Sequence, residues 1–456
     1  MNNIKFETTN NLFLLINFSD NYISAAVIEH SKKQSQSSVL CYKKEYCNEL
    51  IEGRIIDINK VSETLKIMLV NLRKNVNLNL PFENIRTIVS ISNRTGEIRT
   101  SHGILNFLSN PISNDEIDRV VKAALYNSKI SNETYQILNL TVNSFTADDM
   151  NNVKNPLSMS CQCLQANVSI ETVNKTSIFN NFNTVLKNNN LNIEYISFAS
   201  SCISESILNH DDKEFGVVTL EVKGDASVIT FFKNGNVQEY IQLPKQGTNY
   251  IIEQIARQYK LSFKTAEWIY LNIETIIDKT NNQGLFELIN SNNHVLQIEL
   301  EYLNNIIINS FKQIFQNIKE EIDTRSIQHY LNGLLFLHTF KFSGVEVIFD
   351  EVFVDQVRNS RNISSTENIN KKNIFNCDIL EHDIVLIGMI NKLSNNNSIS
   401  YNYLNKLVGA NGTNNSSKSN TDIQEQESGF DLTDLNPNRQ KVTLVQKTKK
   451  LFKSLW

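Results

Sequence analysis

The sequence predicts an α/β protein with two lobes of similar build, a smaller α+β module inserted in the first, and a polar tail ending in an amphipathic helix. Three observations predict it. A block of three strands followed by a helix occurs twice, and a strand–strand–helix–strand–strand block lies between the copies. The composition then changes abruptly near residue 394. With 41% hydrophobic and 20% charged residues over 456 positions, the chain has enough apolar material for a core and the length of two or three domains.

In the first block, Leu12 to Phe18 and Tyr22 to Glu29 read as buried strands, and Ser38 to Cys47 alternates as a third. From Asp57 to Arg73, Ile58, Val61, Leu65, Met68, Leu69 and Leu72 recur at helical spacing. The second block is read from Ile85, with strands at Ile85 to Ile91 and Ile98 to Phe107. Ser113-Asn114-Asp115-Glu116 opens a helix with capping-box spacing. Strands at Tyr135 to Phe145 and Leu164 to Ile170 then flank a polar stretch. The third block repeats the first: strands at Phe215 to Val222, Ser227 to Lys233 and Asn236 to Leu243, with Asn234-Gly235 as a hairpin signal. Helices are expected at Thr248 to Tyr259, Lys264 to Asn272 and Val295 to Ile322. Leu334 to Leu337 reads as a buried strand and Ile384 to Ile390 as a last core element.

Only 14 Gly and 5 Pro occur, beside roughly 66 Asn; at the usual ~7% glycine such a chain would carry about 30. Asn, Ile and Lys codons are A/T-rich, so this is the signature of base-composition pressure. It has a chemical consequence, because phosphate-cradling loops depend on glycine for close backbone approach. A formal net charge of −4 gives no electrostatic footprint for nucleic acid. The six cysteines lack metal-ligand spacing and are expected as reduced structural thiols. No metal site is expected, the N-terminus is not read as a signal peptide, and no apolar run is long enough for a spanning helix. The acid pairs Asp148-Asp149 and Asp211-Asp212 read as solvated loop charges, and no catalytic constellation emerges.

Residues 394–440, rich in Asn, Ser, Gln and Asp, read as a disordered linker. In the final segment, KVTLVQKTKKLFKSLW, a helix would gather Leu444, Val445, Thr448, Leu451, Phe452, Leu455 and Trp456 on one face. Lys441, Lys447, Lys449, Lys450 and Lys453 would flank it. That pattern suits a helix lying in an anionic headgroup layer. The alternatives are docking on the globular body or on a partner protein.

Several collinear strings resemble the FtsA family of actin-like bacterial cell-division proteins. Gly53-Arg54-Ile55-Ile56-Asp57 is similar to the family's Gly-x-Ile-x-Asp, and Thr100-Ser101-His102-Gly103 to its Asn-Ser-His-Gly turn. Glu116 to Val120 resembles the helix of the inserted 1C subdomain, Asn155 to Met159 a Pro-Leu-Gly-Met turn, and Ala266-Glu267 an Ala-Glu pair. The resemblance implies an actin-like (ribonuclease H-like) fold, with subdomain 1A at 1–84 and 171–212 and a 1C-like insert at 85–170. It puts 2A at 213–255 and 323–393 and 2B at 256–322, ahead of the linker at 394–440 and the membrane-targeting helix at 441–456. It also implies the FtsZ C-terminal tail and an anionic membrane as partners, self-association into protofilaments, and a place on the cytoplasmic face of the inner membrane at the division site.

The nucleotide motifs depart from that family. Asn17, Ser19, Asp20, Asn21 and Tyr22 stand where its first phosphate hairpin has an Asp-x-Gly pattern. Glu221, Gly224, Asp225, Ala226 and Ser227 stand where the second has three glycines, with Lys223 beside them. His338 and Thr339 replace the glycines of the adenine-side motif, and Glu267 keeps the Ala-Glu acid while Tyr270 replaces a lysine. A carboxylate beside phosphates without a metal is repulsive. The resulting expectation is a pseudo-ATPase adaptor, with Mg-ATP as the only cofactor the resemblance would bring. Two alternatives stay open: a working actin-like ATPase with unusual loops, and a pilus-assembly platform protein of the same fold.

Overall fold

The computed structural model describes residues 11–19, 21–31, 34–51, 53–76, 81–92, 96–106, 111–222, 224–280, 284–289, 295–325, 332–338, 344–354, 358–362, 371, 374–381 and 383–395. Asp20, Lys223, Thr339, residues 396–440 and the whole of 441–456 lie outside them, and the first two residues expected as linker, Ser394 and Asn395, instead end the last helix. The chain divides into two compact units, one made of residues 1–203 and 372–456 and the other of residues 204–371.

In the first unit, β1 (Leu12–Phe18), β2 (Tyr22–Ser31) and β3 (Gln36–Tyr46) form an antiparallel meander. The small hairpin β4 (Leu50–Ile51) and β5 (Arg54–Ile55) turns at Gly53, whose φ of 71° is the left-handed backbone that favours glycine. Asp57 then caps α1 (Ile58–Val76), its Oδ1 accepting from the amides of Asn59 at 3.0 Å and Lys60 at 3.1 Å. The Gly-x-Ile-x-Asp string is therefore a hairpin glycine followed by a helix cap. Strand β6 (Arg86–Ile91) adds to β1 in parallel, so the residues read as opening the inserted block belong to the main sheet.

The insert has its own four-stranded sheet, in the order β7-β10-β8-β9. It comprises β7 (Gly96–Asn106), α2 (Asn114–Asn127), β8 (Tyr135–Ala147), β9 (Met150–Val153) and β10 (Cys163–Asn174). Its pattern is β-α-β-β-β. The expected boundary at 85 moves to about 95, because β6 hydrogen-bonds to β1 and not to β7. Afterwards α3 (Asn180–Asn188), β11 (Asn192–Phe198) and α4 (Ala199–Ile207) return to the main sheet, with β11 parallel to β6. Leu12, Leu14, Ile16 and Phe18 face Leu65, Met68, Phe182 and Leu186 of α1 and α3 in one core.

In the second unit, α5 (His210–Phe215) precedes β12 (Val217–Val222), β13 (Ala226–Lys233) and β14 (Asn236–Pro244), again an antiparallel meander. Asn234 and Gly235, both at positive φ, make the turn as expected. Then come α6 (Thr248–Tyr259), α7 (Phe263–Thr280), β15 (Leu285–Ile289), β16 (Val295–Glu299) and α8 (Leu300–Asp323). Two expectations are corrected here. The helix read at Lys264 to Asn272 runs a further eight residues, and Val295 to Glu299 is a strand paired with β15 rather than the start of α8. Short β-branched runs carry no periodicity that separates strand from helix. Strands β17 (Leu334–His338) and β18 (Arg358–Asn362) complete the sheet, with α9 (Val345–Val352) between them. Phe315, Phe336, Phe349 and Phe353 pack as one aromatic group, with Phe336 and Phe349 stacked at 4.9 Å.

The duplication is visible in the topology. The order β3-β2-β1-β6-β11 in the first unit and β14-β13-β12-β17-β18 in the second is the same arrangement. Each sheet has three antiparallel strands, the first of which pairs in parallel with the fourth. In the first unit, β19 (Ile374–Phe375) extends the edge at β3, and α10 (Ile384–Asn395) supplies the last core element.

The glycine shortage has a structural counterpart. Among the described residues four glycines have positive φ, against eleven residues of other types, five of them Asn or Asp. Those two side chains tolerate the left-handed region best, so asparagine has taken over much of the turn work.

Candidate functional site

The first hairpin is built around Asn17, which lies opposite Ser24 in the β1–β2 register. Its side chain is fully buried and its Nδ2 donates to Ser24 Oγ at 3.4 Å, while Oδ1 has no hydrogen-bond partner among the described residues. Ser19 N donates to Tyr22 O at 3.0 Å to close the turn, and Cys47 N donates to Asn21 O at 3.0 Å. Tyr22 lies across from Tyr46, and the Lys44 ammonium sits 3.9 Å from the centre of its ring.

Sequence reasoning missed the group that completes this hairpin. Asp383 caps α10, its Oδ1 accepting from Leu386 N at 3.2 Å, and it also accepts hydrogen bonds from Ser24 and Tyr42. Burial pushes the Asp383 carboxyl above the ordinary aspartate range, against the opposing pull of Ser24, the Leu386 amide and the Lys44 charge. The Tyr42 phenol is raised too, first by burial and then by the charge of Asp383. An Asp directly before an apolar run is a helix-start signal, but nothing local links it to Asn17, 366 positions earlier.

The second hairpin is built differently. Glu221 is buried on β12 opposite Val228. Gly224 O accepts from Asn249 N at 2.5 Å, and Ser227 Oγ donates to Gln246 O, so the turn is engaged by the segment leading into α6. Ala226 is buried against the end of β14, and Asp225 is half-buried on the turn. Glu267 lies on α7, where Tyr270 has its phenol raised by burial. His338 ends β17, but its side chain and Thr339 lie outside the description.

Four expected residues, Asn17, Ser19, Asn21 and Tyr22, thus share one turn of the first unit, Asp20 lying outside the description, and five share the equivalent turn of the second. They do not suit Mg-ATP. Position 17 offers a neutral amide committed to Ser24 where a hydrated metal needs a carboxylate, and Asp225 adds a carboxylate where phosphate-cradling backbone is needed. Among the described residues no group of three or more His, Cys, Asp or Glu is placed to hold a metal. The cysteines are all free thiols, and burial pushes that of Cys41 up to about 11.

The inserted module explains its motifs physically. Gly103 lies mid-strand in β7, not in a turn, and a Cβ there would meet Val120 O of α2 at 2.1 Å and Ala124 N at 2.4 Å. Ser101 Oγ donates to Ala124 O at 2.7 Å, and Asn127 Nδ2 to His102 O at 2.9 Å. The Ser-His-Gly string is therefore a strand-to-helix docking device. The α2 capping box forms as expected, with Glu116 accepting from Ser113 N at 2.7 Å. Asn155 to Met159 is a true turn: Met159 N donates to Pro156 O, and Ser158 takes the left-handed φ of 65° in the family's glycine position. Neither acid pair is merely solvated. Asp148 accepts from the amides of Gln162 and Cys163, and Asp212 is buried in the capping box of α5.

The family model described as the SHS2 domain inserted in FtsA matches residues 94–172, which is this module almost to the residue. The FtsA of Buchnera aphidicola subsp. Baizongia pistaciae is 23% identical over 272 residues, covering 59% of this chain and 63% of that protein. The FtsA of Streptococcus pneumoniae serotype 2 is 19% identical over 317 residues, covering 69% and 68%. The chain is FtsA-like, and divergent from those relatives. The matches span about two thirds of those relatives' lengths. A solved PilM–PilN type IV pilus biogenesis complex superposes on the FtsA-like chain with a TM-score of 0.54 at 11% identity, covering 83% of this chain and 97% of that one. That likeness shows the fold, which is actin-like, with the duplicated sheets described above. Among the described residues no helix is long and apolar enough to cross a membrane.

Proposed function

We propose that this FtsA-like chain is a non-hydrolysing adaptor that ties the FtsZ ring to the cytoplasmic face of the inner membrane and helps recruit later division proteins. The observation that carries the reading is the inserted module at 94–172, matched to the domain inserted in FtsA. The actin-like body would bind the FtsZ C-terminal tail through 256–322 and self-associate into protofilaments. Residues 441–456 would bind anionic lipid. Each of the five lysines contributes about 1 kcal/mol near an anionic leaflet, so attachment by a single copy is reversible and assembly strengthens it through multivalency.

The pseudo-ATPase part of the proposal is supported by Asn17 and Asp225. Titration calorimetry with Mg-ATP should give no binding at low micromolar concentration; tight binding with turnover overturns it. For the adaptor, FtsZ polymers from the same organism are sedimented with phosphatidylglycerol-containing liposomes. The full chain should bring FtsZ down with the vesicles, and a chain lacking 441–456 should not. Lipid binding that survives this truncation would show the anchor to be misplaced.

A further inference from the structure

A buried polar cluster in the first unit ties three parts of the chain together. Lys392, in the last turn of α10, donates to Ser197 Oγ at 2.6 Å and to Ser201 Oγ at 2.7 Å, and lies 3.9 Å from Glu171 Oε1. Its side chain is only 10% exposed and that of Glu171 7%. The other oxygen of Glu171 accepts from Phe198 N at 2.9 Å. Glu171 belongs to β10 of the inserted module, Ser197 and Phe198 end β11 of the main sheet, and Ser201 lies in α4.

Two close packings reinforce the same junction. The Phe198 ring covers Gly96, the first residue of β7, where a Cβ would come within 2.0 Å of the ring. Gly388 of α10 lies against α4 so closely that a Cβ would meet Cys202 O at 1.7 Å. Both ends of the module are thus fastened to Phe198, and both helices to one lysine. The chain passes from the first unit into the second within α4, between Ile203 and Ser204.

We propose that Lys392 is a coupling pin that makes the root of the inserted module and the interunit helix α4 respond as one body. A buried lysine is costly to desolvate and is retained only with several good partners. Here those partners come from the module, the sheet end and α4, so none shifts without the others losing charge-assisted bonds. A partner that strains the module at Glu171 therefore strains the first turn of α4. This coupling holds whether or not that partner is a division protein.

Hydrogen exchange on the full chain tests it through a cycle of Lys392→Met and Glu171→Gln. The Glu171→Gln change, made on the module, should raise exchange of amides 198–203 in α4 and its approach at least tenfold, leaving amides 217–233 of the second unit unchanged. Lys392→Met should produce the same rise, and the double variant should show no further increase, because both remove one shared connection. Ser201→Ala removes a single bond and should give a several-fold rise confined to the same amides, which keeps the test available if the charge variants fail to fold. Multiplicative effects in the double variant, or a rise spread uniformly over both units, would overturn the proposal.

Discussion

Gly103 and Val120 approach so closely that the strand and helix of the inserted module meet backbone to backbone. A Cβ on Gly103 would stand 2.1 Å from the Val120 carbonyl oxygen, inside any van der Waals contact. Because the obstacle is main chain, no rotamer change relieves it. Gly103→Ala should therefore push α2 off β7 and destabilise the chain by about 1–3 kcal/mol, the usual range for overpacking. Urea unfolding followed by far-UV circular dichroism measures it, and an unchanged midpoint would contradict the packing.

Left-handed backbone at non-glycine residues makes the opposite prediction. Lys260 closes α6 at φ 52°, with Leu261 N donating to Ala256 O at 2.9 Å in the pattern of a helix end that normally carries glycine. Ser158 stands at φ 65°. Lys260→Gly and Ser158→Gly should each stabilise by about 0.5–1 kcal/mol. Asn234→Gly should do less, since asparagine already tolerates that region. Thermal melts of the three variants beside the parent rank the effects.

The Asp383 carboxyl titrates above the ordinary aspartate range, so the folded chain holds that proton to higher pH than the unfolded chain does. Its contribution to stability is then complete below the unfolded aspartate pKa, near 4, and is lost as pH rises through the folded value. Asp383→Asn removes this dependence. The stability difference between variant and parent should move in the variant's favour from pH 4 to pH 7.5, as read from denaturant midpoints. A difference that is flat across that range would mean the carboxyl is not shifted.

Restoring the family's carboxylate at the first hairpin should not restore an ATP site. Asn17 is fully buried and its amide donates to Ser24; an aspartate there loses that donor and adds a charge near Asp383. Asn17→Asp should cost at least about 2 kcal/mol and show no stabilisation by Mg-ATP in a melting assay. A melting temperature that rises with Mg-ATP would reverse the reading of this hairpin.

The fold was largely legible because apolar periodicity survives base-composition pressure. The β1–β2–β3 and β12–β13–β14 meanders, α1 and α2 follow from alternation, buried runs, helical spacing and the capping-box spacing at Ser113. Legibility failed where partners are distant or patterns short. Val295 to Glu299 could be told from helix only by its pairing with β15, and β6 could be assigned to the main sheet only by its pairing with β1. The string at Ser101 to Gly103 was recognisable, but its role was not, since a strand glycine under a helix and a turn glycine look alike in one dimension.

The candidate site divides the same way. Loss of the glycines and of the carboxylate at position 17 was readable directly, because those requirements are local to a turn. What replaced them was not, because Ser24, Tyr42, Lys44 and Asp383 meet only when α10 returns from the far end of the chain. By itself the sequence determined the two lobes, the inserted module and the departures from the family's phosphate motifs. Tertiary structure alone decided that Asp383 closes the first hairpin and that Lys392 joins module, sheet and helix. Burial is what makes those charges matter, and burial is a property of the packed chain and not of any one segment.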